Sequence, residues 1–508
     1  MPEYSSKTWL SILWLPAFII LALMSFMPLK RIYLSTRYPY QLDYAEGYIA
    51  VEAWQFSVGR TIYSSLEDYP YLVGNYPPLY PLIQAPFFFI FGPSLFWGRL
   101  ICVLSAIGIL ILLFFIVWRH TRSFLSSILA PLIVMNAYAF YEWLGYARVD
   151  FPAIFFSIAG LAVLMKGEDK KRLRLAALFF LLSVYTKQIQ IFAPVSACIY
   201  LFLRDKRKGL RFFCWLVGLG AGIFILLNII TKGQYYLHTV VYNANRYDWW
   251  QTKKWLAHLL RLYPFYLSSI FLVVATILYE RLKWNTKREK VVPDLFIIYA
   301  VTGMISVFTI GKIGAAANYL LEFHIALALL FGLGSGWLVR SLPDWNKKIG
   351  LAIMCLLVIL LVNLHAIHVI RFQRILFSRP DPDRIAREKG DELLEMIRDY
   401  PDPILCEQPI FLLLSGKEVL FQPFIMSQIQ KEGKWDQERL LSDLDSARFS
   451  MIVTGQDMFQ EGHIWQYTNE MRAMIREKYK PLLDAKSATR SLMESPYGGI
   501  PYFIYVPK

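Results

Sequence analysis

Apolar residues run through the first 370 positions in long blocks. Leu10 to Phe26, Leu100 to Trp118, Phe212 to Ile230 and Ile349 to Leu364 are nearly without charge. A run of about 18 or more such residues crosses the ~30 Å hydrocarbon layer as a helix. The pattern predicts about eleven spans, near 8–27, 99–117, 124–140, 151–165, 173–186, 188–203, 212–231, 263–280, 293–310, 323–339 and 349–370. The first is read as a retained anchor. A secretory signal has a shorter apolar region and a small-residue cleavage site, whereas Met27-Pro28-Leu29-Lys30-Arg31 follows here.

Two polar stretches between spans are long, 28–98 and 232–262. Within the first, Leu82 to Phe91 is apolar but too short to span, and Gly92-Pro93 ends it. It is read as a re-entrant or interfacial helix. In the second, Lys253 to Arg261 puts apolar positions on one helical face and bases on the other, as an interfacial helix does. From residue 372 charges occur throughout and no spanning run remains. Ile385–Asp399 and Met471–Tyr479 read as helices, Pro403–Glu407 and Phe449–Thr454 as strands. The fold class is therefore mainly α: a polytopic helical bundle over 1–371 and a small α/β domain over 372–508. No internal repeat, low-complexity tract or glycine-rich phosphate loop is present.

Charge fixes the orientation. The net charge of +15 would suit nucleic acid, but the bases cluster in short segments between apolar runs. With the N-terminus inside, the inner segments hold 21 lysines and arginines. The outer segments, more than twice as long in total, hold 12. That is the positive-inside pattern of a protein of the inner (plasma) membrane, and it excludes a nucleic-acid partner. An odd number of spans puts the C-terminal domain outside. Of the five cysteines, Cys102, Cys198, Cys214 and Cys355 lie in apolar runs and Cys406 stands alone in the tail. Neither a disulfide framework nor a zinc motif is present.

Ionisable residues are costly near a membrane unless paired or functional, and here they gather at the outer face. Asp43 and Glu46 share a face if the following segment is helical, and a carboxylate there could take a proton from a hydroxyl. The alternative is a charged helix N-terminus. Arg148 and Asp150 open the fourth span, either as functional groups or as an ion-pair latch. Lys187 lies between two short apolar runs. Gly311 to Glu322 offers small residues, Lys312, Asn318 and Tyr319. A cation at that depth suits a lipid phosphate, although lysines at helix ends commonly snorkel. His365 and His368 have no third ligand, so no metal site is expected.

In order, Asp43-Tyr44-Ala45-Glu46-Gly47, Gly59-Arg60-Thr61-Ile62-Tyr63, Tyr76-Pro77-Pro78-Leu79 and Gly98-Arg99-Leu100 resemble the opening of GT-C glycosyltransferases. The similarity is greatest to glycosyltransferase family 39, which includes protein O-mannosyltransferases and lipid A aminoarabinose transferases. Arg148-Val149-Asp150 and Gly311 to Tyr319 look like later family positions. The resemblance implies inverting transfer of a hexose or pentose from a polyprenyl-phosphate donor to a lipid, glycan or protein acceptor at the outer face. It implies Asp43 as general base, with Glu46 as the alternative base and Asp150 as a catalytic residue that orients the acceptor or tunes Asp43. Arg148, Lys187, Lys312, Asn318, Tyr319 and Tyr76 would bind substrate. The family's adjacent acids are separated here, and Asn75-Tyr76 replaces the acid and lysine that precede the diproline in the aminoarabinose branch. No metal or other cofactor is predicted. The main rival from another class, a transporter, would predict repeat symmetry and interrupted spans; a membrane assembly protein is the third reading.

Overall fold

The computed structural model describes residues 15–262, 271–272, 274–275, 294–341, 382–460, 466–482 and 502–508. The spans expected at 263–280 and 349–370, and the pair His365/His368, lie outside the described residues. Among the described residues, five helical segments are long and apolar enough to cross a membrane: Leu15–Arg37, Leu95–Thr121, Lys206–Ile230, Asp294–Gly311 and Ala317–Trp337. Between them stand the helices Asp150–Lys166 and Lys170–Thr186, packed as a hairpin, and the shorter apolar helices Leu79–Phe91, Phe124–Met135 and Phe192–Arg204. Ala317–Trp337 is buried along its length, whereas the apolar stretch of Lys206–Ile230 is open to its surroundings. The first is the bundle's inner post and the second its lipid-facing wall, the distribution that requires apolar residues on every side of both.

Two boundaries differ from the sequence reading for visible reasons. The first helical segment runs on to Arg37 because Arg31 is neutralised within the protein. Its guanidinium donates to the Glu142 carbonyl and the Tyr146 hydroxyl and lies 3.6 Å from the Glu142 carboxylate. The span expected at 124–140 stops at Met135, where Asn136 caps it and turns its amide onto the Leu21 carbonyl and Ser25 Oγ of the first segment. The stretch 82–91 forms part of the helix Leu79–Phe91, with Phe89, Ile90 and Phe91 exposed. The basic stretch 253–261 lies on the helix Trp249–Leu262.

After Pro382–Asp399, the C-terminal residues form a four-stranded sheet in the order β1-β2-β4-β3 (β1 Ile404–Cys406, β2 Met451–Thr454, β3 Tyr479–Pro481, β4 Phe503–Pro507). Strands β1 and β2 are parallel, with Ile404 opposite Met451, and the other pairs are antiparallel. The last two strands were not read from the sequence. This sheet domain seats on the polar segment after the first span. The Tyr71 amide donates to the Leu420 carbonyl and the Tyr71 carbonyl accepts from the Gln422 amide. Tyr40 stacks on Phe411 at 4.7 Å, and Gln41 Oε1 accepts from the Ile410 amide.

Candidate active site

Asp43 is the N-cap of the helix Tyr44–Ser57. Its extended backbone and acceptor side chain satisfy the helix end, Oδ1 accepting from the Ala45 amide, as caps do. The same oxygen accepts from Arg148 Nη1 at 2.7 Å, and 21% of the side chain remains exposed. Burial raises the carboxyl above the ordinary aspartate range, and the Arg148 charge opposes it.

Glu46, one turn along, sits in a different environment. It is fully buried against a fully buried Arg99 in a two-pronged pair, Nε to Oε1 and Nη2 to Oε2, both 2.9 Å. It also accepts from the amides of Leu42, Asp43 and Ala147. Arg99 spends its remaining donors on the carbonyls of Ser35, Tyr38 and Tyr40. Close approach at this knot requires glycine. A Cβ on Gly98 would lie 2.5 Å from Gln84 Oε1 and 2.7 Å from the Ala147 methyl.

Arg148 connects two of the three acids expected at the site, Asp43 and Asp150. Beyond Asp43, its Nε is 3.7 Å from Asp150 Oδ2, and Nη2 donates to Tyr76 at 3.3 Å. Burial works against the guanidinium charge, but Asp43, Tyr76 and Asp150 outweigh it and raise its pKa. Burial pushes the Tyr76 phenol up to about 12. Asp150, in the first turn of its helix where the dipole favours an anion, accepts from Lys187 Nζ at 2.6 Å and Asn318 Nδ2 at 2.9 Å. Lys187 also lies 4.5 Å over the Tyr319 ring, a cation–π distance. Lys312 donates to Asn243 Oδ1 at 2.6 Å and, among the described residues, forms no ion pair with a carboxylate. Burial, then the neighbouring Lys187, lower its ammonium to about 8.

The structure thus joins Asp43, Arg148, Tyr76, Asp150, Lys187, Asn318 and Tyr319 in one bonded cluster, with Lys312 near enough for its charge to be felt. Glu46 bonds elsewhere, into the Arg99 knot. Sequence reasoning missed Asn243, which no motif marked, and the role of Arg99, quoted only as a motif letter. It also missed Asn75 and Gln188. Gln188 and Asn243 both donate to the Asn75 carbonyl, while Asn75 Oδ1 and Gln188 Oε1 stay buried without donors. Among the described residues, no group of three or more His, Cys, Asp or Glu could hold a metal.

Residues 75–230 match the family model for dolichyl-phosphate-mannose-protein mannosyltransferase. No curated protein is significantly similar in sequence. Among solved structures, ArnT from Cupriavidus metallidurans bound to undecaprenyl phosphate matches with a TM-score of 0.56 and 11% identity, covering 99% of this chain and 98% of that one. The apo ArnT structure matches with the same score and identity over 95% and 97% of the two chains. At such identity the likeness shows the fold. The chain shares the GT-C fold of ArnT, and over residues 75–230 it resembles the dolichyl-phosphate-mannose-protein mannosyltransferase family.

Proposed function

We propose that this protein transfers a sugar from a polyprenyl-phosphate donor to an acceptor hydroxyl at the outer face of the inner membrane, with its N-terminus cytoplasmic and its sheet domain outside. The observation that carries the proposal is a partly exposed carboxylate, Asp43, bonded into a buried cluster that holds Arg148 and Lys187 and adjoins Lys312. A base beside cations is what displacement of a phosphate by a hydroxyl needs.

In this mechanism Asp43 accepts the proton of the acceptor hydroxyl as its oxygen bonds to the anomeric carbon. The bond from that carbon to the phosphate oxygen breaks on the opposite side, inverting the centre, and its electron pair leaves on the lipid phosphate. Lys312, which has no carboxylate partner among the described residues, meets that charge directly. Lys187 and Arg148 add to the positive field but are largely balanced by Asp150 and Asp43. Asn318 holds Asp150, and Asp150 holds both cations in register. Tyr76 and Tyr319 bound the cluster, Tyr76 through its hydroxyl on Arg148 and Tyr319 with its ring beneath Lys187. Glu46, expected as the alternative base, acts here through Arg99 by fixing the chain around Asp43.

The undecaprenyl phosphate in the ArnT structure supports a lipid-phosphate leaving group. The test is transfer of radiolabelled sugar from a panel of polyprenyl-phosphate sugars to membrane extracts, with wild type and Asp43→Asn side by side. Transfer by wild type and its loss in the variant are expected. Equal transfer by both would remove Asp43 as the base.

A further inference from the structure

We propose that the seam between the helix Tyr44–Ser57 and the carboxyl ends of β1 and β2 is an acceptor subsite for an uncharged saccharide. The proposal rests on the glycosyltransferase reading for the word acceptor only; the saccharide site stands on its own observations. Ligands of open α/β sheets bind beyond the carboxyl ends of parallel strands. In this domain the two parallel strands lead into Glu407-Gln408 and Gly455-Gln456, and the first of these turns meets the helix Tyr44–Ser57. Tyr48 of the Asp43 helix donates to the Glu407 carbonyl at 3.2 Å. The Glu407 carboxylate accepts from the Gly455 amide at 2.8 Å and the Tyr467 hydroxyl at 3.5 Å.

Gln408 is the decisive residue. It is 2% exposed, yet neither Nε2 nor Oε1 has a hydrogen-bond partner. Gln456 Oε1 and Gln466 Oε1, on the turn after β2 and next to Tyr467, are also buried and unpartnered. Leaving several buried amide groups unpaired is costly, and a ligand that supplies both donors and acceptors removes the cost. Neighbouring sugar hydroxyls do both, and an amide brackets them with its own donor and acceptor.

The rim of the seam is aromatic. Tyr44 and Phe424 are partly buried, with ring centroids 6.2 Å apart, and the Phe424 amide donates to the Tyr44 hydroxyl. Tyr44 follows Asp43 in the chain. A carbon added at Gly314, two residues beyond Lys312, would meet the Phe424 ring at 3.3 Å. The rim therefore runs from the sheet domain to both sides of the candidate active site, with ring faces suited to the C–H face of a sugar. Glu407 is the acid in this cluster, its carboxyl pushed up to about 7 by burial, and among the described residues no lysine or arginine pairs with it. That disfavours phosphates and acidic glycans.

The test uses the full chain in lipid nanodiscs and measures retention of neutral and uronic-acid-bearing trisaccharides by frontal affinity chromatography. Wild type should retain at least one neutral trisaccharide and none of the acidic ones. Gln408→Leu and Phe424→Ala should each weaken that binding about tenfold, the size of one or two lost hydrogen bonds or a lost stacking face. Gln408→Leu should meanwhile melt no earlier than wild type, because it removes two unpaired polar atoms. A merely structural Gln408 would leave binding untouched. Undecaprenyl phosphate, measured alongside, should bind all three proteins equally. Failure of wild type to retain any neutral trisaccharide, preference for acidic ones, or unchanged binding in both variants would each overturn the proposal. Loss of lipid-phosphate binding alone would instead remove the glycosyltransferase reading and leave the saccharide site in place.

Discussion

Replacing Glu46 with glutamine should unfold this protein, whereas replacing Asp43 with asparagine should leave it folded and inactive. Glu46 and Arg99 are both fully buried and form two parallel charge-assisted bonds, and Glu46 also serves three backbone amides. A glutamine would point an NH2 group at donors and leave the guanidinium without its counter-charge. Removing one partner of a buried pair costs about 3–5 kcal/mol, a large part of the ~5–15 kcal/mol that holds a typical fold. Asparagine caps a helix as well as aspartate does, and Arg148 keeps Asp150. Asp43→Asn should therefore cost no more than about 1 kcal/mol, while losing a general base slows transfer by about 10²–10⁴-fold. Thermal unfolding of detergent-solubilised protein, followed by size-exclusion, separates the two variants, and transfer is then assayed on the folded fraction. The pair Glu46→Leu/Arg99→Met should recover part of the lost stability, limited by the amides of Leu42, Asp43 and Ala147 that remain unpaired. A Glu46→Gln protein that melts with wild type but no longer transfers sugar, beside an active Asp43→Asn, would reverse the two roles.

Binding of undecaprenyl phosphate to the free protein should weaken as pH rises through about 8, because the Lys312 ammonium is charged below that value and neutral above it. Lys312→Met should bind weakly at every pH between 6 and 9, measured by microscale thermophoresis. The acid limb of kcat/KM should lie above the ordinary aspartate range, since Asp43 must be ionised to accept a proton and burial raises its pKa; Asp43→Glu should move that limb rather than abolish it. Lys187→Met should lower stability by about 3–5 kcal/mol, because it strips Asp150 of its closest cation; a melting point equal to wild type would show that Arg148 and Asn318 suffice.

The helices of the bundle were readable because span length is set by the bilayer, which reads the chain one segment at a time. The expected spans at 151–165 and 173–186 correspond to the helices Asp150–Lys166 and Lys170–Thr186. Boundaries failed where a tertiary partner changed the local cost, as Glu142 did for Arg31. Strands β3 and β4 were missed because each is short and finds its partners only across the sheet. At the site, the residue types were legible but the pairing was not. Asp43 and Glu46 share one helix end, and their spacing does not say which meets Arg99 and which meets Arg148. Nor does sequence distance bring Asn243 to Lys312, 69 positions on.

The pairing also explains how the proposed reaction proceeds in a poorly hydrated site without building up charge. Asp43 and Asp150 stand against Arg148, Lys187 and Lys312, two carboxylates to three cations, while Glu46 and Arg99 cancel each other apart. These side chains therefore carry one excess positive charge, and a sugar phosphodiester brings one negative charge to them. When the hydroxyl proton moves to Asp43 the site gains a positive charge, and in the same step the departing lipid phosphate gains a negative one. The total stays zero throughout, which matters because unbalanced charge is penalised most where water is excluded. Had Lys312 possessed a carboxylate partner like that of Lys187, the donor would have entered with an uncancelled charge. The unneutralised lysine is in this sense as much a part of the proposed arrangement as the proposed base.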